Sequence, residues 1–265
     1  MTQLPTLFLS HGSPMQAIEP GIATKAWEAL GRTLPRPRAV LIVSAHFETE
    51  APCVTGAALP ETIHDFGGFP PALYRIQYPA PGAPALAQQA AYLLEAAGVG
   101  AEVDHRRGLD HGAWVPLKWM YPRADVPVVE LSVQPGRTPA DHVSLGRLLA
   151  PLTRDGVLVI GSGHTTHNLH DWMLNRRHPE PLAYVPAFAD WLFDRLEAHD
   201  TTSLVAYRSD APGAARAHPT EEHFLPLHVA WGAAPPDARV ERIVHGQEGG
   251  ALSLDSYAFH PASPA

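Results

Sequence analysis

Histidine is the residue type through which this chain of 265 residues could carry out chemistry. The chain contains 16 histidines, against 19 lysines and arginines combined. An imidazole titrates close to neutral pH and is the commonest metal ligand, so metal binding or proton transfer is the expected chemistry. Four of them, His11, His46, His164 and His167, come shortly after apolar runs that are typical of buried strands. In α/β proteins ligand sites form at the carboxyl ends of strands, so these side chains are expected to converge on one crevice.

A second group of histidines lies in glycine-containing loops and near the carboxyl terminus. His64 is part of Thr-Ile-His-Asp-Phe-Gly-Gly-Phe, and His111 is part of Gly-Leu-Asp-His-Gly-Ala-Trp. Glycine permits the tight turns and close backbone approach that a binding site needs. His218 and His223 bracket the segment His-Pro-Thr-Glu-Glu-His, while His228 falls in an apolar stretch and is expected in the core. The other histidines stand in polar, surface-like contexts: His105, His142, His170, His178, His199, His245 and His260.

The elements that must position these histidines alternate between strand and helix patterns. Helical spacing of apolar residues is found from Pro84 to Ala97, from a Thr138 cap to about Leu152, and from Phe188 to Leu196. Such alternation is typical of a sheet covered by helices. The predicted strands are Thr6–Ser10, Ala39–Ala45, Val126–Val133, Val157–Gly161 and Val240–Val244, with Ser253–Ala258 as an edge strand.

No repeat, charge block or linker divides the chain, so we predict one α/β domain over residues 1–265. Its fold is predicted as a central mixed, mostly parallel sheet flanked by helices, with the active site at the carboxyl ends of the strands. Two long segments, Glu50 to Pro81 and Arg208 to Thr220, are predicted to be loops. Loops of this length in compact domains usually carry function.

Composition argues against several functional classes. The formal net charge of −8 lacks the basic balance expected of a nucleic-acid-binding protein. Cys53 is the only cysteine, which excludes an intrachain disulfide and a Cys-x-x-Cys metal site. No apolar segment approaches the length of a membrane span, and the first residues do not form a signal-like pattern. We therefore expect no membrane association and a cytoplasmic location.

Six short motifs, taken in order along the chain, resemble those of one family. They are Leu-Ser-His11-Gly-Ser-Pro-Met, Val-Ser-Ala-His46, Thr-Ile-His64-Asp-Phe-Gly-Gly-Phe-Pro, Asp-His111-Gly-Ala-Trp, Gly-Ser-Gly-His164-Thr-Thr-His167-Asn-Leu and His218-Pro-Thr-Glu-Glu-His223-Phe-Leu-Pro-Leu. Each motif is weak alone, but together they form a specific signal that covers nearly the whole chain. The chain resembles the class III extradiol ring-cleavage dioxygenases, specifically the 4,5-DOPA extradiol dioxygenase family.

This resemblance implies a mononuclear non-heme metal centre, with Fe(II) for catalysis and Zn(II) able to occupy the site in purified protein. By position, His11, His46 and His223 match the metal ligands of the family. His167 matches its acid/base histidine, and His111 matches a histidine that lines the substrate site.

Three further residues of the motifs are less tightly defined. His64 and His218 fall in family motifs and are predicted to bind substrate. In the wider superfamily the third metal ligand is a carboxylate, whereas the matching stretch here offers His223 with Glu222 beside it. Adjacent residues of a helix point in different directions, so one of the two is expected to ligate. We predict His223 and keep Glu222 as the alternative, and the role of His164 is left open.

The resemblance implies cleavage of a catechol ring, with a DOPA-like or related dihydroxyphenyl compound and O₂ as the small-molecule partners. Three ligands on one face leave positions for two catechol oxygens and O₂. His167 would accept a catechol hydroxyl proton and return a proton during ring opening.

Two other functions are compatible with the same residues. Three neutral imidazoles with an open position also describe a catalytic zinc site, which predicts a zinc-dependent hydrolase. A non-catalytic binding protein of the same fold is the other alternative, although such a protein would need neither His111 nor His167. A serine hydrolase is disfavoured because the chain has no Gly-x-Ser-x-Gly turn. No oligomeric state is predicted.

Overall fold

A computed structural model describes residues 3–177 and 180–262, so the surface prediction for His178 lies outside the described residues. Short 3-10 helices span Pro14–Ala17 and Leu73–Arg75. The described strands are β1 (Thr6–Ser10), β2 (Ala39–Glu48), β3 (Cys53–Thr55), β4 (Glu102–Asp104), β5 (Val128–Val133), β6 (Val157–Gly163), β7 (Arg239–Val244), β8 (Gln247–Glu248), β9 (Leu252–Ser253) and β10 (Ser256–His260). The described α-helices are α1 (Ile22–Thr33), α2 (Pro84–Glu95), α3 (His111–Met120), α4 (Pro139–Leu149), α5 (Pro151–Arg154), α6 (Leu169–Asn175), α7 (Tyr184–Glu197), α8 (Thr201–Val205), α9 (Tyr207–Asp210), α10 (Ala214–Ala217) and α11 (Leu225–Ala233).

One mixed sheet organises these elements, with the strand order β4-β3-β5-β2-β6-β1-β10-β7. The central strands β5, β2, β6 and β1 run parallel, whereas β3 and β10 pair antiparallel with their inner neighbours. The predicted α/β fold with a mixed, mostly parallel sheet is therefore confirmed. Because β2, β6 and β1 are adjacent and parallel, the residues at their carboxyl ends, His46, His164 and His11, meet at one edge of the sheet.

The central strands are apolar on both faces because helices cover both faces. In β1, Leu7 and Leu9 pack into one core together with Trp114 of α3, while Phe8 packs into another core with Phe188 of α7. A third core lies between the central strands and helices α2, α4 and α11. Burial on both faces explains why these strands read as continuous apolar runs in the sequence.

Helix and strand ends match the sequence predictions unevenly. Thr138 caps α4 as predicted, since its hydroxyl accepts a hydrogen bond from the backbone N–H of Asp141 at 3.2 Å. The helix does not reach Leu152 as one element, because Pro151 has no N–H to continue the helix and instead begins α5. The prediction of an edge strand over Ser253–Ala258 is wrong, because β10 lies between β1 and β7.

The two predicted loops contain short elements. Residues 50–81 include β3 and the second 3-10 helix, and residues 208–220 include α10. The surface prediction for His142 is wrong: the residue is 1% exposed, and its Nε2 accepts the backbone N–H of Gln134. His228 is buried, as predicted. Within the described ranges, no helix combines the length and apolar character needed to cross a bilayer.

Candidate metal centre and active site

Three imidazole rings meet at the edge of the sheet where the parallel strands end. His11 follows β1, His46 lies near the carboxyl end of β2, and His223 lies two residues before the start of α11. One ring nitrogen from each lies within 4.8 Å of the other two. The Nε2 atoms of His11 and His46 are 3.1 Å apart. The Nε2 atom of His223 is buried and has no hydrogen-bond partner among the described residues.

Carboxylates face the opposite nitrogen, Nδ1, of two of these rings. Glu222 Oε1 lies 2.8 Å from Nδ1 of His223, and Asp65 Oδ2 lies 3.4 Å from Nδ1 of His46. A ring that donates its Nδ1–H to a carboxylate keeps the lone pair of Nε2 free, and metal-binding histidines are oriented in this way. Glu222 therefore has the position of a residue that orients His223, and it groups with His167 and His223 rather than with the other two rings.

A hydroxyl group fixes the ring of His11. Pro116 lies inside α3 and has no N–H, so the carbonyl of Gly112, four residues earlier, lacks its usual helical donor. The Ser162 hydroxyl donates to that carbonyl, and its oxygen lies 3.0 Å from Nδ1 of His11. Because the Ser162 proton is used on Gly112, Nδ1 of His11 must be the donor to Ser162. The lone pair of His11 is then on Nε2, which faces His46.

The three rings fit a divalent cation. With these hydrogen bonds, lone pairs on the Nε2 atoms of His11 and His46 face each other, and two lone pairs at 3.1 Å repel unless a proton or cation lies between them. Burial, followed by neighbouring imidazoles, lowers the pKa of all three rings, that of His46 to about 4. Protons therefore do not fill the gap at neutral pH. Three neutral imidazoles with open positions beside them are a donor set that suits Zn(II) or Fe(II).

His111 and His167 lie beside this centre, the first held by a carboxylate and the second stacked on His223. Nδ1 of His111, the first residue of α3, donates to Asp65 Oδ2 at 2.8 Å. Burial opposes ionisation of Asp65, but its hydrogen bond with His111 and the nearby imidazoles outweigh burial and lower the pKa of Asp65 to about 2. His167 stacks on His223 with ring centroids 3.4 Å apart. Burial lowers the pKa of His167 well below its usual value, so the ring is an unprotonated base at neutral pH.

A cavity of about 390 Å³ opens over the three rings. Its volume and mixed lining suit a single substituted aromatic ring. His164, whose role the sequence leaves open, also lines it, with its ring centroid 5.0 Å from that of His11. Apart from histidines, the larger side chains of the wall are Pro14, Asp65, Phe66, Phe69, Leu169, Trp172 and Leu252.

His64 and His218 are not among the residues that line this cavity. Nε2 of His64 lies 3.0 Å from the carbonyl oxygen of Ile76, and Nε2 of His218 lies 2.8 Å from that of Thr165. Both rings thus hold backbone segments next to the site. Their role in substrate binding stays a prediction.

Sequence reasoning did not identify several residues that hold the candidate ligand rings, among them Asp65, Ser162 and Arg107. Asp65 and Ser162 lie within the histidine motifs. Each is a hydrogen-bonding side chain close to a motif histidine in a glycine-containing segment, and this pattern could have identified them from the sequence. Arg107 carries no such signal. Its Nη2 donates to Asp110 Oδ2 at 2.9 Å and to the carbonyl oxygen of His46 at 3.2 Å, which fixes the end of β2.

Comparison with known sequences agrees with this geometry. Residues 5–254 match the family described as the catalytic LigB subunit of aromatic ring-opening dioxygenase. The 4,5-DOPA dioxygenase extradiol of Beta vulgaris is 43% identical over 96% of this chain and 96% of its own length. The protein of the same description from Escherichia coli (strain K12) is 43% identical over 96% of this chain and 93% of its own length. Dioxygenase tasH of Hapsidospora irregularis is 36% identical over 97% of this chain and 85% of its own length.

A solved structure provides an independent comparison of the fold. The crystal structure of an Escherichia coli K12 protein superposes with a TM-score of 0.83 at 36% sequence identity. The match covers 97% of this chain and 99% of that protein. The family resemblance seen in the six sequence motifs is thereby confirmed. The chain belongs to the LigB family, the catalytic subunits of aromatic ring-opening dioxygenases.

Proposed function

We propose that the protein is a metal-dependent extradiol dioxygenase that uses O₂ to open the ring of a DOPA-like or related dihydroxyphenyl compound. The observation that carries this proposal is the convergence of His11, His46 and His223 on the floor of a ring-sized cavity that is also lined by His111 and His167. Relatives at 43% identity that are described as 4,5-DOPA dioxygenases support it. A zinc-dependent hydrolase and a non-catalytic binding protein are not favoured, because the matched family and these relatives are dioxygenases.

His11, His46 and His223 would hold the metal, with Fe(II) as the catalytic ion and Zn(II) able to occupy the same position. Fe(II), when bound, supplies the redox chemistry between catechol and O₂ and leaves coordination positions for both. Support for these ligands comes from the unpartnered Nε2 of His223 and from Glu222, whose carboxylate accepts from the other nitrogen of that ring.

His167 is proposed as the acid/base residue. Its neutral ring accepts a proton from a catechol hydroxyl, and the Glu222 carboxylate, 4.0 Å from its Nδ1, stabilises the imidazolium that forms. The imidazolium then returns a proton during ring opening. His111, whose Nδ1–H is held by Asp65, has Nε2 left to accept a hydrogen bond from the second hydroxyl.

His64 and His218 keep a proposed role in substrate binding. The role would be exerted through the segments that these rings hold, because the hydrogen bonds of the two residues run to the carbonyls of Ile76 and Thr165.

The proposed function is tested by loading metal-free protein with Fe(II) under anaerobic conditions and then adding 3,4-dihydroxyphenylalanine and O₂. We expect oxygen uptake together with a coloured, ring-opened semialdehyde product. Protein loaded with Zn(II) is the matched control and should consume no oxygen. The absence of oxygen uptake by the Fe(II)-loaded protein across a panel of catechols would contradict the proposal.

The acid/base assignment is tested with His167→Ala. This variant should bind metal with unchanged stoichiometry, while kcat falls about 10²- to 10⁴-fold because proton transfer is lost. His105→Ala, at an exposed position, is the control and should retain full activity. Loss of metal from His167→Ala would instead assign His167 to the metal centre.

A further inference from the structure

The walls of the active-site cavity carry no positively charged side chain. Among the described residues that line the cavity there is neither lysine nor arginine, and the one carboxylate is that of Asp65. The residues outside the described ranges include no lysine or arginine. Apart from a histidine that accepts a proton, positive charge in the cavity must therefore come from the metal or from the substrate itself.

Two more carboxylates stand close behind the cavity walls. Glu222 contacts His223, and Glu248 Oε2 lies 3.2 Å from the backbone nitrogen of the wall residue Ser13. In the part of the chain that the structure describes, neither of these carboxylates nor Asp65 forms an ion pair with a lysine or arginine. Their negative charge is therefore not neutralised by a basic side chain.

Two arginines contact wall residues but do not line the cavity themselves. Arg107 is engaged by Asp110 and by the backbone carbonyl of His46. Arg176 is exposed and lies over the ring of Trp172, 5.6 Å from its centroid. Neither guanidinium is among the groups that line the cavity.

We propose that this cavity selects catechols whose second substituent has no net negative charge, whether neutral, zwitterionic as in 3,4-dihydroxyphenylalanine, or positively charged, and discriminates against catechols whose substituent is anionic. A carboxylate that enters loses hydration, finds no cation, and is repelled by the carboxylates around the wall. An ammonium group is attracted by the same carboxylates, and the aromatic rings of Phe66, Phe69 and Trp172 are cation–π partners in the lining. The inference rests on the proposed function, because the catechol ring must lie over the three metal-binding histidines.

The test uses three catechols whose ring carries a two-carbon chain that ends in an ammonium group (dopamine), in hydrogen (4-ethylcatechol) or in a carboxylate (dihydrocaffeate). With Fe(II)-loaded protein, we expect kcat/KM for dopamine and for 4-ethylcatechol to exceed that for dihydrocaffeate by about tenfold or more. Calorimetric titration of Zn(II)-loaded protein should give the same order of Kd values without turnover. Equal or tighter binding of dihydrocaffeate would overturn the inference. If none of the three catechols supported oxygen uptake, the proposed function would be contradicted. The calorimetric titration would still decide the charge preference of the cavity.

A substitution at the cavity mouth tests whether wall charge is the cause. Leu169 begins α6, lines the cavity and is 52% exposed, so it tolerates a polar replacement. Leu169→Lys should raise kcat/KM for dihydrocaffeate relative to 4-ethylcatechol by about fivefold or more, whereas Leu169→Gln, of similar length but uncharged, should not. An equal change in the two variants would overturn the electrostatic explanation.

Discussion

Two groups of buried histidines in this protein use the same side chain differently. In the first group, at the cavity, the Nε2 atoms of His11 and His46 face each other at 3.1 Å, and the Nε2 of His223 has no partner among the described residues. In the second group, beside α11, the Nε2 atoms of His218 and His228 lie 2.8 and 3.1 Å from backbone carbonyl oxygens.

Burial does not distinguish the two groups, because it lowers the pKa in both. The position of the hydrogen-bond acceptor does. A carbonyl in front of Nε2 requires a proton there and ties the ring to the backbone. An acceptor at Nδ1 alone, as at His223, instead leaves the Nε2 lone pair for a metal ion, whereas His228 has a carbonyl oxygen near each ring nitrogen. A buried histidine whose Nε2 faces an acceptor is structural, whereas one whose Nε2 has no acceptor in front of it is available as a metal ligand.

The largest effect is expected when one histidine is removed from each group. His11→Ala should lose nearly all bound metal and all measurable turnover, because two imidazoles no longer complete the donor set. His228→Ala should keep its metal but lose about 2 to 4 kcal/mol of unfolding free energy, because a buried ring and its hydrogen bonds are lost. Elemental analysis and urea denaturation measure the two quantities. If His228→Ala lost its metal while His11→Ala retained it, the assignment of the two groups would be contradicted.

A smaller effect is expected when the acceptors at Nδ1 are changed. Glu222→Gln and Ser162→Ala should each weaken metal binding about 10- to 100-fold while one ion still binds at saturation, because the ligand rings lose their orientation. Competition titration with a chelator measures the affinity, and Glu221→Gln is the neighbouring control. If Glu222→Gln could not be saturated with metal, Glu222 itself would be a ligand, as the sequence alternative holds.

The smallest effect concerns pH. Burial lowers the pKa of His228 to about 4 in the folded chain, below its usual value of 6.5. Between these values the unfolded chain binds a proton that the folded chain does not, so the stabilisation is complete above pH 6.5 and is lost as pH falls towards 4. In the metal-free His228→Gln variant, the unfolding free energy should fall less steeply with decreasing pH across this window than in the metal-free parent protein. The difference in slope is at most that of about one bound proton. Urea titrations at stepped pH measure this, with exposed His199→Gln as control, and identical slopes would contradict the assignment.

The parts of the fold that the sequence predicts well are those with strong local signals. β1 is found over the predicted residues Thr6–Ser10, and the Thr138 cap begins α4 as predicted, because apolar runs and capping side chains act over a few neighbouring residues. β3 and β4 have only three residues each and give no such signal. The inner position of β10 depends on pairing with β1, from which it is separated by most of the chain.

By itself, the sequence determined the donor types, the order of the histidine motifs and their placement at strand ends. Through the family resemblance it predicted His11, His46 and His223 as ligands with Glu222 as the alternative, but it left open how these side chains are placed relative to one another and what His64 and His218 contact. Those outcomes depend on the parallel register of β1, β6 and β2, in which Ser10 lies beside Gly163. A shift of one residue would turn each following side chain to the other face of the sheet. Only tertiary structure fixes that register, because the contacts that set it lie between segments far apart in the chain.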